Sequence, residues 1–181
     1  MRKILIILAN GFEEIEAVSV IDILRRASFD VVVAGLSGLD VTGAHGLRVR
    51  ADQLVSECDI DMLDGIVLPG GEPGTSNLEK STVVRDLILQ GHNKKKLIAA
   101  ICVAPRILDA LGLLNGRPAT SFPGTKPDMT HCIYHEENVV ESGPIITSRG
   151  AGTAMLFAYH IVAYFNGEDE SNVLKEAMVF S

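Results

Sequence analysis

One thiol stands where an apolar run meets a turn. "KKKLIAAICVAP", residues 94–105, leads three lysines into a short apolar run that ends on Cys102, with Val103, Ala104 and Pro105 behind it. Ala100 and Ala104 flank the cysteine two residues to either side. A nucleophile on a sharp strand-to-helix elbow needs small residues at those two places, because larger ones collide in the turn. Pro105 suits a first helical turn, where its missing N–H costs nothing. Such an elbow holds the sulfur at a helix N-terminus, which favours the nucleophilic thiolate. The same residues also fit a cysteine that is only a small buried hydrophobe.

A carboxylate bears on that choice. In a helix over 13–28, Glu16 aligns with Val20, Ile23, Leu24 and Ala27, the apolar stripe. An acid on that stripe is expected to be partly buried and to titrate abnormally. If protonated, it can donate a hydrogen bond to a thiolate without placing a second negative charge beside it. Glu13 and Glu14 have a plainer explanation, since acids favour the first turn of any helix, and Glu16 can be read that way too. "LPGGEPG" supplies Gly70 and Gly71 at the end of another apolar run. The Gly71 and Val103 N–H groups could serve a developing oxyanion; the alternative is a tight turn that needs glycine for its φ angle.

The remaining motifs are weaker. "TSRGAGT" (147–153) has a G-x-G, but not the spacing of a dinucleotide fingerprint, so it reads as a turn leading into a helix, with Arg149 placed to hold carboxylates or carbonyls. No cofactor is expected. His131, Cys132 and His135 match half of a zinc site, but no second Cys or His pair stands at a suitable distance, so no metal is expected. His45, His92 and His160 read as loop or helix-face residues.

The elements that must position these groups alternate. Near-continuous apolar runs at 3–9, 30–36, 64–69, 97–101 and 144–148 end in turn residues or at Cys102, as strands buried on both faces do. Helical periods fill 13–28, 77–91, 103–114, 152–167 and 170–180, while "LRVRAD" and "NVVES" suit peripheral strands. The alternation implies an open, mostly parallel sheet covered on both faces, in one domain over 1–181. In such a sheet the functional crevice lies outside the carboxyl ends of the strands, where "NGFEE", "PGGEPG" and Cys102 fall.

Composition narrows the function. The net charge is −7 with no long basic run, which argues against nucleic-acid binding. No apolar run approaches bilayer length, and "RKILIILANG" reads as a first strand rather than a signal peptide. Three scattered cysteines, Cys58, Cys102 and Cys132, do not fit a disulfide framework and point to a reducing compartment, the cytoplasm.

Taken together, "GFEEIEAV", "LPGG", "AAICVAP" and "TSRGAGT" resemble the ThiJ/PfpI superfamily in order and spacing, in the branch that contains YajL and the parkinsonism-associated protein deglycase. The resemblance covers nearly the whole chain. It implies a flavodoxin-like three-layer α/β/α sandwich and a homodimer. It also implies Cys102 as the oxidisable nucleophile, Glu16 as its acidic partner, and Gly71 and Val103 as backbone donors near the sulfur. Where some members carry a histidine near the cysteine, "ATSFPG" places Phe122, which cannot shuttle protons; a cysteine–histidine protease mechanism loses its base. In the segment implied to face the dimer partner, "TGAHGLRV" places His45 where a relative has arginine.

Two functions follow from the resemblance. In the first, Cys102 adds to a reactive aldehyde such as methylglyoxal, the Gly71 and Val103 amides steady the oxygen, and Glu16 moves protons to yield a hydroxy acid; on glycated thiols or amines the same chemistry is deglycation. In the second, Cys102 is a redox sensor, or belongs to a redox-regulated chaperone, and oxidises to sulfenic and sulfinic acid.

Overall fold

The computed structural model describes residues 1–180. The first half holds β1 (Lys3–Leu8), α1 (Glu14–Arg26), β2 (Asp30–Gly35), β3 (Asp40–Thr42), β4 (Arg48–Arg50), β5 (Gln53–Leu54) and β6 (Gly65–Leu68). Next come α2 (Gly74–Lys80), α3 (Thr82–Asn93), β7 (Leu97–Ile101) and α4 (Pro105–Ala110). The chain continues through β8 (Pro118–Ala119), β9 (Ile133–Tyr134), β10 (Val139–Glu141), β11 (Ile145–Ser148), α5 (Ala154–Asn166) and α6 (Glu168–Ala177).

The central sheet has the order β10-β11-β7-β6-β1-β2-β5. Every pairing in it is parallel except that of β10 with β11. The expected α/β layering is therefore present, and its cause is visible in β1. Ile4, Ile6 and Leu8 point into a core with α1 and α5, while Leu5 and Ile7 point into a second core with α3 and α4. A strand buried on both faces has no polar face to show, hence the unbroken apolar run. The chain leaves β1 toward β2 on one side and later fills β6 and β7 on the other, so the topological switch lies between β1 and β6.

Several boundaries differ from the periodicity. The helix expected over 77–91 is two helices, because Ser81 is extended and its hydroxyl caps the second one, accepting from the Val84 N–H at 3.3 Å. The helix expected over 103–114 is only six residues long and ends before Gly112, which has φ of +75°. "LRVRAD" forms β4, which pairs with β3 outside the main sheet, and "NVVES" forms the antiparallel edge strand β10. Among the described residues no helix is long and apolar enough to cross a membrane.

Candidate functional site

Cys102 directly follows β7, all five residues of which are buried. Its φ is +65°, the left-handed region that a side chain with a Cβ rarely adopts. The conformation is held from both ends. The Cys102 N–H donates to the Ser148 carbonyl at 3.0 Å, and the Cys102 carbonyl accepts from the Phe122 N–H at 2.7 Å. Ala100 and Ala104 are fully buried beneath the turn, where larger side chains have no room. This is the strained elbow that the alanine spacing implied.

Three segments converge on the sulfur. α1 brings Glu16, which is fully buried and accepts the Gly70 N–H on Oε2 at 2.8 Å. The turn after β6 brings Gly70 and Gly71. At Gly70 a Cβ would stand 2.6 Å from the Cys102 Cβ and 2.8 Å from Glu16 Oε2, so glycine is what lets acid and thiol meet. Gly71, with φ of +89°, lies so close to the start of α1 that a Cβ would fall 2.4 Å from the Glu13 nitrogen. The Gly71 and Val103 amides both hydrogen-bond the Cys102 sulfur. Arg106, in the first turn of α4, ties the elbow to the glycine turn through Glu72 at 2.7 Å and Ser76 Oγ at 2.9 Å.

Burial raises the Glu16 carboxyl to about 7; hydrogen bonds from the Gly70 amide and from Cys102 pull it back only in part, and the charge of Glu13 adds to the rise. Burial also comes first in pushing the Cys102 thiol up to about 12, followed by the charge of Glu16 and its hydrogen bond, against the two backbone amides. The helix N-terminus therefore does not by itself give the low-pKa thiol that the sequence suggested. Glu16 and Cys102 titrate as a pair, which loses one proton near neutrality and holds the second far into alkaline pH. Glu16 Oε1 is buried with no hydrogen-bond partner among the described residues.

The sulfur opens into a cleft of about 510 Å³, walled by Glu13, Phe122, Pro123, Asn138, Arg149 and Gly150. Cys102, Glu16, Gly70, Gly71, Val103, Phe122 and Arg149 thus gather at one place, with Ala104 as packing below. Arg149 donates from Nη1 to the Glu136 carbonyl at 3.0 Å, one of the two roles foreseen for it. Glu13, Asn138 and Gly150 are site residues that the sequence reading did not single out. Glu13 looked like an ordinary first-turn acid, Gly150 like part of a turn, and Asn138 carried no signal at all.

Glu14 is more than a first-turn charge. It is buried and accepts the His45 N–H at 2.6 Å, His45 Nδ1 at 2.8 Å and the Leu47 N–H at 3.3 Å. Burial works against ionisation there, but these hydrogen bonds hold its carboxyl below the ordinary range. The hydrogen bond to Glu14, then the charge of Glu13, raise His45 above its ordinary value. Among the described residues, Glu13, Glu14 and His45 are the one grouping whose donor atoms lie close enough together, within 4.8 Å, to hold a metal ion. His131, Cys132 and His135 form no such group; His131 Nδ1 instead meets the buried Asp109 at 2.9 Å.

Comparison with known proteins shows what the chain is similar to. Residues 2–164 match the DJ-1/PfpI family. The chain is 36% identical over 164 residues to the glutathione-independent glyoxalase DJR-1.2 of Caenorhabditis elegans, covering 90% of this chain and 87% of that one. It is 33% identical over 153 residues to a deglycase of Pyrococcus abyssi, covering 83% and 91%. The solved structure of oxidised DJ-1 from Toxoplasma gondii superposes with a TM-score of 0.96 at 33% identity, over the full length of both chains.

Proposed function

The chain belongs to the DJ-1/PfpI family, and from that premise we propose that it is a cysteine-dependent, cofactor-free enzyme that converts reactive 2-oxoaldehydes to 2-hydroxy acids and removes the same groups from glycated thiols and amines. The similarity to a glyoxalase and to a deglycase supports the substrate class. The observation that carries the mechanism is the buried Glu16 carboxyl, raised to about 7, against a sulfur that already receives two backbone amides.

Near neutral pH the pair has lost one proton. With the remaining proton on Glu16, the sulfur has three donors, the Gly71 and Val103 amides and the Glu16 hydroxyl. With the charge on Glu16, the carboxylate has two, the Gly70 amide and the thiol. The Glu16 carboxylate takes the thiol proton as the sulfur attacks, and the three donors hold the thiolate as it forms. The thiolate forms a C–S bond to the aldehyde carbon, the carbonyl π pair moves to oxygen, and Glu16 supplies a proton to give the hemithioacetal. Glu16, now a carboxylate, takes the hydrogen from that carbon and returns a proton to the neighbouring ketone carbon, leaving a thioester of the 2-hydroxy acid. Water then cleaves the C–S bond and restores the thiol. The first carbon is oxidised and the second reduced, so no outside oxidant enters.

Release of lactate from methylglyoxal without glutathione tests this. Wild type should turn over many times per Cys102, Cys102→Ser should lose at least about a hundredfold, and Glu16→Leu should be similarly impaired. Lactate released at or below one equivalent per site would refute it.

A second reading has its own support in the two amides aimed at the sulfur, which would equally hold oxygens of an oxidised cysteine. In it, the Cys102 thiolate attacks an oxygen of hydrogen peroxide and expels hydroxide to give sulfenic acid, and a second hydrogen peroxide takes it to sulfinic acid. Such a sensor, or redox-regulated chaperone, reacts about once per site until reduced, and needs no turnover. Either function is proposed for a cytoplasmic homodimer. The exposed apolar residues Ile15 and Val18 on α1, with exposed Leu47 on the loop whose N–H groups Glu14 holds, support a covered face there.

A further inference from the structure

We propose that Phe122 makes the cleft a subsite for an apolar, preferably aromatic, substituent on the compound that meets Cys102. Resting on the carbonyl reading above, this names the substrates as uncharged alkyl- and aryl-2-oxoaldehydes rather than phosphorylated or carboxylated ones.

Phe122 is 47% exposed, although a ring of that size is normally buried or paired. It does not hang free. Its N–H is bound to the Cys102 carbonyl at 2.7 Å, so the ring's origin is fixed relative to the sulfur. Two glycines lie against the ring. A Cβ on Gly124 would lie 3.1 Å from ring Cε1, and one on Gly150 would lie 3.7 Å from ring Cδ2 and 3.9 Å from Cys102 Sγ. The space over Gly150 therefore has the sulfur on one border and the ring on another. A group carried by a carbonyl carbon bonded to Sγ would enter that space and meet the ring, with Pro123 and Ala151 continuing the apolar wall.

The charges around the cleft point the same way. Glu13 and Glu16 stand on its wall. The one cation there among the described residues, Arg149, donates to the Glu136 carbonyl and lies beside the Glu136 carboxylate, which is held low first by Lys126 and in lesser part by Arg149. An anionic substituent would meet Glu13, with Arg149 tethered to the Glu136 carbonyl, whereas a neutral ring would gain area against Phe122.

Cys102 alkylation reads the subsite without needing turnover. Rates with iodoacetamide, N-benzyl iodoacetamide and iodoacetate would be measured by mass spectrometry for wild type, Phe122→Ala, Phe122→Leu and a free thiol such as N-acetylcysteine. In wild type the benzyl-to-plain ratio should exceed the free-thiol ratio about three- to tenfold, the advantage of an aromatic pair. It should return to the free-thiol ratio in Phe122→Ala and fall between in Phe122→Leu. Iodoacetate should lag iodoacetamide more than it does on the free thiol. A wild-type benzyl ratio equal to the free-thiol ratio, or one unaltered in a folded Phe122→Ala, overturns the subsite. The ratio of kcat/KM for phenylglyoxal over methylglyoxal gives the second arm and should fall in both variants. Benzyl preference without turnover of either aldehyde keeps the subsite and refutes the carbonyl reading; turnover of both with no benzyl preference does the reverse.

Discussion

Replacing Glu16 with glutamine should take about 3 kcal/mol out of the pH dependence of stability between 4.5 and 7. Burial raises the Glu16 carboxyl from its ordinary 4.5 to about 7. The folded chain thus holds this proton more tightly than the unfolded chain does, and the group favours folding most at low pH. Its contribution is full below 4.5, declines as the unfolded carboxyl ionises, and is gone once pH passes about 7. At about 1.4 kcal/mol per tenfold in proton affinity, the whole window is worth about 3 kcal/mol. Linkage counts protons and not their address, so the figure is the same whether the charge left on the pair rests on Glu16 or on Cys102. Urea unfolding followed by circular dichroism, at one protein concentration and at steps from pH 4.5 to 8, would measure it. Wild type should lose about 3 kcal/mol relative to Glu16→Gln across that range. Parallel stability curves for the two proteins would refute the reasoning, because they would mean that Glu16 is ionised in the folded chain as easily as in the unfolded one.

Limiting iodoacetamide should label Cys102 ahead of Cys58 and Cys132, with a rate that rises through about pH 7 as the pair sheds its first proton; peptide mapping that finds mainly Cys58 or Cys132 adducts would count against the site. Glu16→Leu should move that rise to higher pH, since the carboxyl that gives the pair its first proton loss is gone and burial still raises the thiol. Phe122→His should raise methylglyoxal turnover if proton transfer limits it, by less than the roughly hundredfold of a fully supported acid–base group; a folded variant with no gain in steady-state assays would remove proton transfer at this position as the slow step. Cys102→Gly should be more stable than Cys102→Ala by about 1 kcal/mol, the reverse of the usual order, because alanine keeps the strain of φ +65°; thermal or urea midpoints in the usual order would contradict the elbow. Light scattering at micromolar concentration should give about twice the 19.4 kDa chain mass, and a monomeric mass would leave the α1 face without its proposed partner.

What could be read in advance was whatever burial on both faces writes locally. β1, β6 and β7 are apolar without alternation for that reason, and the small residues around Cys102 record the crowding of its turn. Other features depend on partners far along the chain. β5, β8 and β9 are two residues each and exist only because a neighbouring strand lies alongside. Ser81 splits a regular helical period by a single hydroxyl contact. Glu14 has the same local context whether it faces water or holds the His45 loop. The direction of the Cys102 shift was misjudged for the same cause: the helix N-terminus is local and legible, whereas the burial that outweighs it is assembled from three segments.

The two tethers of the elbow have a consequence for how the chain comes into being. Cys102 is pinned through its N–H by Ser148 and through its carbonyl by Phe122, both later in the chain. During synthesis the cysteine leaves the ribosome well before either, and β7 must wait for β11 to arrive as its parallel neighbour. Until then the sulfur is an ordinary solvated thiol on a relaxed backbone, without the Ser148 tether. The chemistry is therefore switched on last, by closure of the far side of the sheet. A nascent or half-folded chain carries the nucleophile's atoms but not its geometry, and a C-terminal truncation that removes β11 would leave a thiol no more selective than free cysteine.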